Sequence, residues 1–261
     1  MTTARELIEF LSSHASVRKF TDREVSADTE YTICATAERS PTSSNLHAYS
    51  IISVRNRTTK LELARCCGNQ SHVAACPLFL VFCADLHRLK NLTDRRGYTG
   101  HTDFAEMFIV ATIDATLAAE RALIAAQALG LGGVMVGGIR NQPEEAAQLL
   151  GLPDLVYAVM GMSLGYPAGP VQVKPRLPLE GLCFSEKYNE ASIEAAVAEY
   201  DRIITELGHL EGREVEKDKY PSFSGTYNWS EHSARRLASI DPSVLRPHML
   251  EFLRKRGFLK R

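Results

Sequence analysis

The segment 103–129 is apolar almost all the way round a helical turn, with Phe104, Met107, Phe108, Ile109, Val110, Ile113, Leu117, Leu123 and Ile124 distributed over every side. A helix without a wet face has to be covered on all sides. In a 261-residue chain that leaves two outcomes, a helix at the centre of the core or one at an interface between subunits. An uncharged run, 122–139, overlaps its end and just reaches the length of a membrane span. Its glycines (Gly130, Gly132, Gly133, Gly137, Gly138) all lie from the midpoint onward, so a helix ending at Gly130 followed by a short strand accounts for the run better.

Other segments fill in around this helix. Residues 3–13 place Leu7, Ile8, Phe10 and Leu11 at helical spacing. A helix over 28–39 is stopped by Ser40-Pro41, because the residue before proline avoids helical angles. Residues 49–54 form a β-branched strand, and 77–85 is apolar on both faces, as a central strand requires. A strand over 132–139, a helix over 143–150, a strand over 156–165 and helices over 192–207 and 241–256 complete the pattern. Helices and strands alternate only loosely, which predicts an α+β fold with a mixed central sheet packed by helices. The expected organisation is a core over 1–207, a mobile surface excursion over 208–230 rich in charge, glycine and aromatics, and a helical extension over 231–261 of the same domain.

Composition excludes several classes. A hydrophobic fraction of 45% and a charged fraction of 23% are those of a globular protein, not of a disordered chain or a disulfide scaffold. Thirty basic residues against 31 acidic ones, a net charge of -1, argue against nucleic acid as a partner. The first ten residues carry charges within their apolar run, unlike a signal peptide, so a cytoplasmic protein without a membrane span is expected. Six cysteines without a CxxC pair read as free thiols. One cluster, Cys66-Cys67-x4-His72-x3-Cys76, has residue types that could bind zinc, but its spacing fits no standard knuckle. Buried small hydrophobes and a loop histidine are the other reading.

The glycine-rich run Gly130-Leu131-Gly132-Gly133-Val134-Met135 is not a dinucleotide fingerprint. It lacks the last glycine and opens a strand after a helix, the reverse of that motif. Gly137-Gly138, at the far end of the new strand, would let a flat ligand approach the backbone or would simply form a turn. Lys174-Pro175-Arg176 is more informative. Proline pushes Lys174 into extended backbone, where residues i and i+2 share a side, a geometry suited to a phosphate dianion. Ser16-Val17-Arg18 follows the same logic, and Pro41-Thr42-Ser43-Ser44-Asn45 adds hydroxyls fit for a polyol, a phosphate or a helix cap. There is no GxSxG elbow, HExxH helix or P-loop, and His14, His47 and His72 have no carboxylate partner that sequence assigns. A phosphate-bearing cofactor that carries the chemistry itself fits that absence.

Several segments, in order, resemble the FMN-dependent nitroreductase/flavin reductase family. They are His14-Ala15-Ser16-Val17-Arg18-Lys19-Phe20, Thr42-Ser43-Ser44-Asn45-Leu46, Gly68-Asn69-Gln70-Ser71-His72-Val73, the run from Gly132 to Asn141, Leu164-Gly165-Tyr166-Pro167 followed by Lys174-Pro175-Arg176-Leu177-Pro178, and Arg246-Pro247-His248-Met249-Leu250 with Gly257-Phe258. The resemblance is closest to the NADPH-dependent, oxygen-insensitive branch. It implies an intertwined homodimer with FMN at each subunit interface and NADPH or NADH as co-substrate. A nitroaromatic, quinone or free flavin would take two electrons in a second half-reaction; the alternative function is a non-catalytic flavin- or metal-binding sensor centred on Cys66, Cys67, His72 and Cys76. By motif match His14, Ser16 and Arg18 contact the flavin phosphate side or ring, Thr42, Ser43 and Ser44 line the flavin, and Gln70 lies near its ring or ribityl chain. The backbone of Gly137 and Gly138 approaches the reactive N5 region, Lys174 and Arg176 grip the phosphate, and Arg246 faces the substrate pocket. Departures are visible: Ala15 stands where many relatives have Arg, His47 replaces a commoner Gln, and 222–228, directly before Trp229-Ser230, has no Lys or Arg to receive a 2′-phosphate. Arg213, Lys217 and Lys219 could substitute, although Glu211, Glu214, Glu216 and Asp218 surround them.

Overall fold

All eight residues of Leu78–Asp85 are buried, the outcome demanded by a run apolar on both faces. In the computed structural model, which describes residues 3–261, this strand lies inside a four-stranded sheet. The elements in chain order are α1 (Ala4–Ser12), α2 (Ala27–Glu38), β1 (Tyr49–Val54), α3 (Arg57–Cys66), α4 (Ser71–Ala75), β2 (Leu78–Asp85), α5 (His87–Arg95), α6 (Ala105–Ala128), β3 (Gly132–Val136), α7 (Pro143–Leu149), β4 (Val156–Gly165), α8 (Glu190–Glu206), α9 (Trp229–Ala238), α10 (Pro242–Leu245) and α11 (Met249–Lys255). They form two compact units, one holding the chain up to Gln172 together with Arg246–Arg261, the other Val173–Leu245.

The sheet order is β1-β2-β4-β3, and every pairing between these strands is antiparallel. The α+β expectation therefore holds, while the mixed character reduces to one parallel bridge from Ser16 to Gly133. On α6 the residues turned inward are mostly alanines, Ala111, Ala115, Ala118, Ala119, Ala122, Ala125 and Ala126. Small side chains let the helix axis approach its neighbours closely, and dispersion contacts rise with that proximity. The opposite side stays apolar yet open, with Ile109, Ile113, Leu117 and Leu129 exposed. Leu117, Ile124 and Leu129 line a groove of about 580 Å³ whose other wall includes Leu7 and Phe10 of α1 and Thr32 and Thr36 of α2.

The last residues return to the larger unit. Phe258 is fully buried, edge-on to Tyr157 at 5.3 Å and to Phe108 at 6.2 Å between ring centroids. Leu155 donates its amide to the carbonyl of Arg256 at 2.8 Å, tying this end to the start of β4.

Three differences from the sequence reading have local causes. The strand expected over 132–139 ends at Val136, and Gly137–Arg140 forms a tight turn closed by the Asn141 amide on the Gly138 carbonyl at 2.8 Å. The single last helix expected over 241–256 is two, α10 and α11, because Arg246 precedes Pro247 and takes a φ of 48°. Helices α3, α4, α5 and α9 were not anticipated, although Asn56 and Asn228 accept amide bonds from Thr59 and Glu231 in ordinary N-cap fashion.

Candidate functional site

The N-terminal segment 15–18, bridged to β3 through Ser16 and Gly133, alternates as extended chain should. Ala15 and Val17 are buried, whereas Ser16 and Arg18 are exposed. Val17 donates its amide to the Gly133 carbonyl at 2.9 Å. Its side chain occupies the place where a Cβ on Gly132 would stand, so only glycine fits there. Among the described residues, neither the Ser16 hydroxyl nor the Arg18 guanidinium has a hydrogen bond or ion pair. A cation left uncommitted beside a hydroxyl is a receptor for an anion. His14 is half-buried and its Nδ1 accepts from the Gln127 amide at 3.1 Å. His72 is buried, with Nδ1 3.0 Å from the Ser163 hydroxyl. Burial first, and the Arg18 charge second, push its imidazole below the ordinary range, which favours the neutral ring.

Residues 42–48 form the second element. Thr42 precedes a short turn, Ser43–Asn45, but its side chain makes no cap bond, so the capping reading of this run is not realised. The hydroxyls of Thr42, Ser43 and Ser44 make no hydrogen bond among the described residues, and Ser43 and Ser44 are exposed. Ser44, Asn45 and His47 all adopt left-handed backbone, at φ 48°, 56° and 50°. Such conformations cost non-glycine residues on the order of 1 kcal/mol each. The compensation comes from α6: the Asp114 carboxylate, 1% exposed, accepts from the Ser43 amide and from the Ala48 amide, each at 3.0 Å. Charge-assisted bonds of this kind contribute about 1.5–3 kcal/mol. Sequence reasoning missed Asp114. The available signal was a lone carboxylate inside the apolar stretch of 107–119.

A third group gathers around Gly138. A Cβ there would lie 2.7 Å from the Cys67 carbonyl oxygen and 2.9 Å from Gln70 Nε2. Gln70 and Gly138 are therefore neighbours, and the close approach that glycine permits is that of the protein's own 67–70 segment. Arg246 donates from Nε to Asn141 Oδ1 at 2.7 Å, and Asn141 Nδ2 lies against Gly68, so the C-terminal arginine reaches the same turn. Neither Arg246 nor Asn141 could be paired from sequence, being 105 residues apart. Gly138→Ala is expected to lower stability by about 1–3 kcal/mol through overpacking against backbone and to shift Gln70. A melting temperature within 1 °C of the parent would show that the 67–70 segment yields freely.

The second unit carries Lys174 and Arg176, both exposed. Tyr200 of α8 donates its hydroxyl to the Pro175 carbonyl at 3.2 Å and fixes the segment. Arg176 donates from Nη1 to the Lys174 carbonyl at 3.1 Å and has no carboxylate partner among the described residues. His209 is depressed by burial and then by the charges of Lys174 and Arg213, which places three basic groups in one electropositive neighbourhood. Lys219 is held by Glu216 at 2.9 Å and Lys217 lies 3.9 Å from Glu214, so both are engaged by acids. The 208–230 segment wraps Arg235, which is 4% exposed, pairs with Glu231 at 2.7 Å and faces the rings of Tyr220, Phe223 and Tyr227.

In the cysteine cluster the thiols sit as buried small hydrophobes, while His72 lies buried in α4 and not in a loop. Cys66, Cys67 and Cys76 are buried, and burial pushes the Cys67 thiol up to about 12. Among the described residues, no group of three or more His, Cys, Asp or Glu is placed to hold a metal ion, and no helix is long and apolar enough to cross a membrane.

Comparison with known proteins agrees with this frame. The model of the Nitroreductase family matches residues 11–166, and that of the Nitroreductase family, C-terminal domain, matches 174–261. The oxygen-insensitive NADPH nitroreductase of Salmonella typhimurium (strain LT2) is 35% identical over 254 residues, 97% of this chain and 98% of that protein. The FMN reductase (NADPH) of Bacillus subtilis (strain 168) is 40% identical over 184 residues, 70% of this chain and 74% of its own length. The solved structure of NfrA1 nitroreductase from B. subtilis superimposes with a TM-score of 0.86 at 32% identity, covering 97% of this chain and 99% of that one.

Proposed function

The chain belongs to the nitroreductase family, and we propose that it is an FMN-dependent oxidoreductase that uses NAD(P)H to reduce nitro compounds, quinones or free flavins. The observation that carries the site reading is the uncommitted pair of Ser16 and Arg18 on the exposed side of the segment bridged to β3. FMN, when bound, supplies the two-electron chemistry, which agrees with the lack of any catalytic side-chain constellation. The residues present suit such a group. Arg18 and Ser16 offer a charge and a hydroxyl to an anion, the Thr42–Ser43–Ser44 hydroxyls suit a polyol chain, and Gln70 offers an amide beside the Gly137-Gly138 turn. His14 borders the same edge segment. Lys174 and Arg176 provide charge for a terminal phosphate, and Arg246, held by Asn141, lines the acceptor side. Protein donors of this kind stabilise negative charge that develops as electrons arrive, and need no reorganisation to do so.

The open apolar side of α6 supports a homodimer, since burying Ile109, Ile113 and Leu117 against a second copy removes them from water. The coenzyme reading extends to NADH as well as NADPH. With Lys217 and Lys219 engaged by glutamates, Arg213 is the basic residue of the excursion best suited to a 2′-phosphate.

Purified protein tests the proposal directly. A yellow dimer that holds one FMN per chain, bleaches with NADPH or NADH under nitrogen and regains colour with a nitroaromatic, quinone or free flavin is expected. A colourless protein that takes up no FMN overturns it.

A further inference from the structure

We propose that Asp114 is a positioning residue for the flavin, acting through the 42–48 loop; this rests on the flavin reading above and deepens it. Asp114 is the one charged residue among the buried positions of α6, where Val110, Ala111, Ala115 and Ala118 surround it. Among the described residues it forms no ion pair. A carboxylate without a cation in an apolar layer persists only where hydrogen bonds satisfy it, and here both oxygens are engaged by backbone. Oδ1 takes the amide hydrogen of Ser43 and Oδ2 that of Ala48. The two bonds hold the loop at both ends. Between them lie the three left-handed residues, which local preference alone does not maintain, and a third outside contact comes from Arg88, whose Nη1 donates to the His47 carbonyl at 3.1 Å.

The consequence concerns the outward side of the loop. With the backbone drawn towards α6, the Ser43 and Ser44 hydroxyls stand exposed and uncommitted. Asp114 touches no ligand; its work is to present the hydroxyls that do, in a conformation already formed before FMN arrives. A loop held in its bound shape loses less entropy on binding, so affinity, not turnover, should register its loss.

Asp114→Asn separates this role from simple packing. The carboxamide keeps the shape but turns one of two acceptors into a donor facing a backbone N–H. FMN titrated into the full-length apoprotein, followed by flavin fluorescence, should show a Kd raised about tenfold or more. The kcat at saturating FMN and the KM for NAD(P)H should stay within about twofold of the parent. A variant with a lower melting temperature but an FMN Kd within twofold of the parent overturns the assignment, since that is what a structural carboxylate alone would do. If the variant does not fold, amide exchange on the parent apoprotein decides: the Ser43 and Ala48 amides should exchange at least tenfold more slowly than in an unstructured chain before FMN is added, and unprotected amides overturn the proposal. A parent that binds no FMN overturns the flavin reading and this inference together, whereas a parent that binds FMN alongside an unaffected variant overturns this inference alone.

Discussion

Phe258→Ala should destabilise the protein by about 3–5 kcal/mol, the range for emptying a fully buried aromatic site. The ring is 0% exposed and closes a three-ring cluster with Tyr157 and Phe108, the latter two stacked at 5.7 Å. Tyr157 is further fixed by its hydroxyl on Thr112 Oγ1 at 2.6 Å, so the cluster cannot collapse cheaply into the space left behind. At roughly 2–4 °C per kcal/mol for a protein of this size, a melting temperature lower by about 6–20 °C is expected. Because the last turn of the chain carries Phe258, the result also tests whether the C-terminal segment is part of the core. A loss below about 1 kcal/mol would mean that it is peripheral.

The second large effect concerns affinity. Arg176→Ala should weaken FMN binding by about 1.5–3 kcal/mol, the value of a lost charge-assisted bond, which corresponds to roughly 10- to 150-fold in Kd. Arg176 is exposed and donates only from Nη1, to the carbonyls of Lys174 and Pro175, so the guanidinium keeps donors for a phosphate. The Tyr200 bond to Pro175 limits the entropy lost when that phosphate arrives. Screening should narrow the gap between parent and variant as salt rises, because the site lies near water. Lys187→Ala, an exposed cation of the same unit, is the control and should leave Kd unchanged. An Arg176 variant indistinguishable from that control removes the residue from the site.

Legibility of the fold followed the strength of periodic signals. The strands Tyr49–Val54 and Val156–Gly165 fall where the pattern placed them, and α6 differs from the expected 103–129 by two residues at its start and one at its end. Missed helices such as α3 and α5 are short and strongly polar; α3 buries four residues and α5 none, so too few apolar residues mark a core-facing stripe. The alternation of Ala15, Ser16, Val17 and Arg18 was legible because extended chain assigns sides by parity alone. The partners of those residues were not. Gln127 meets His14 across 113 positions and Asp114 meets Ser43 across 71.

What the sequence determined by itself is therefore the local grammar. Doubly apolar runs lie inside a sheet, a helix apolar on all sides presents more than one face for burial, and a Lys-Pro-Arg unit sets two cations two residues apart. The tertiary structure alone decided which surfaces meet. It set the Gln70 side chain against Gly138, brought Arg246 to Asn141, and hung the hydroxyl-bearing loop from a carboxylate on α6. Periodicity records which way a side chain faces relative to its own backbone. The distance between two faces is set only when the whole core packs, because that is when buried area and hydrogen bonds outweigh the entropy of closing the intervening chain.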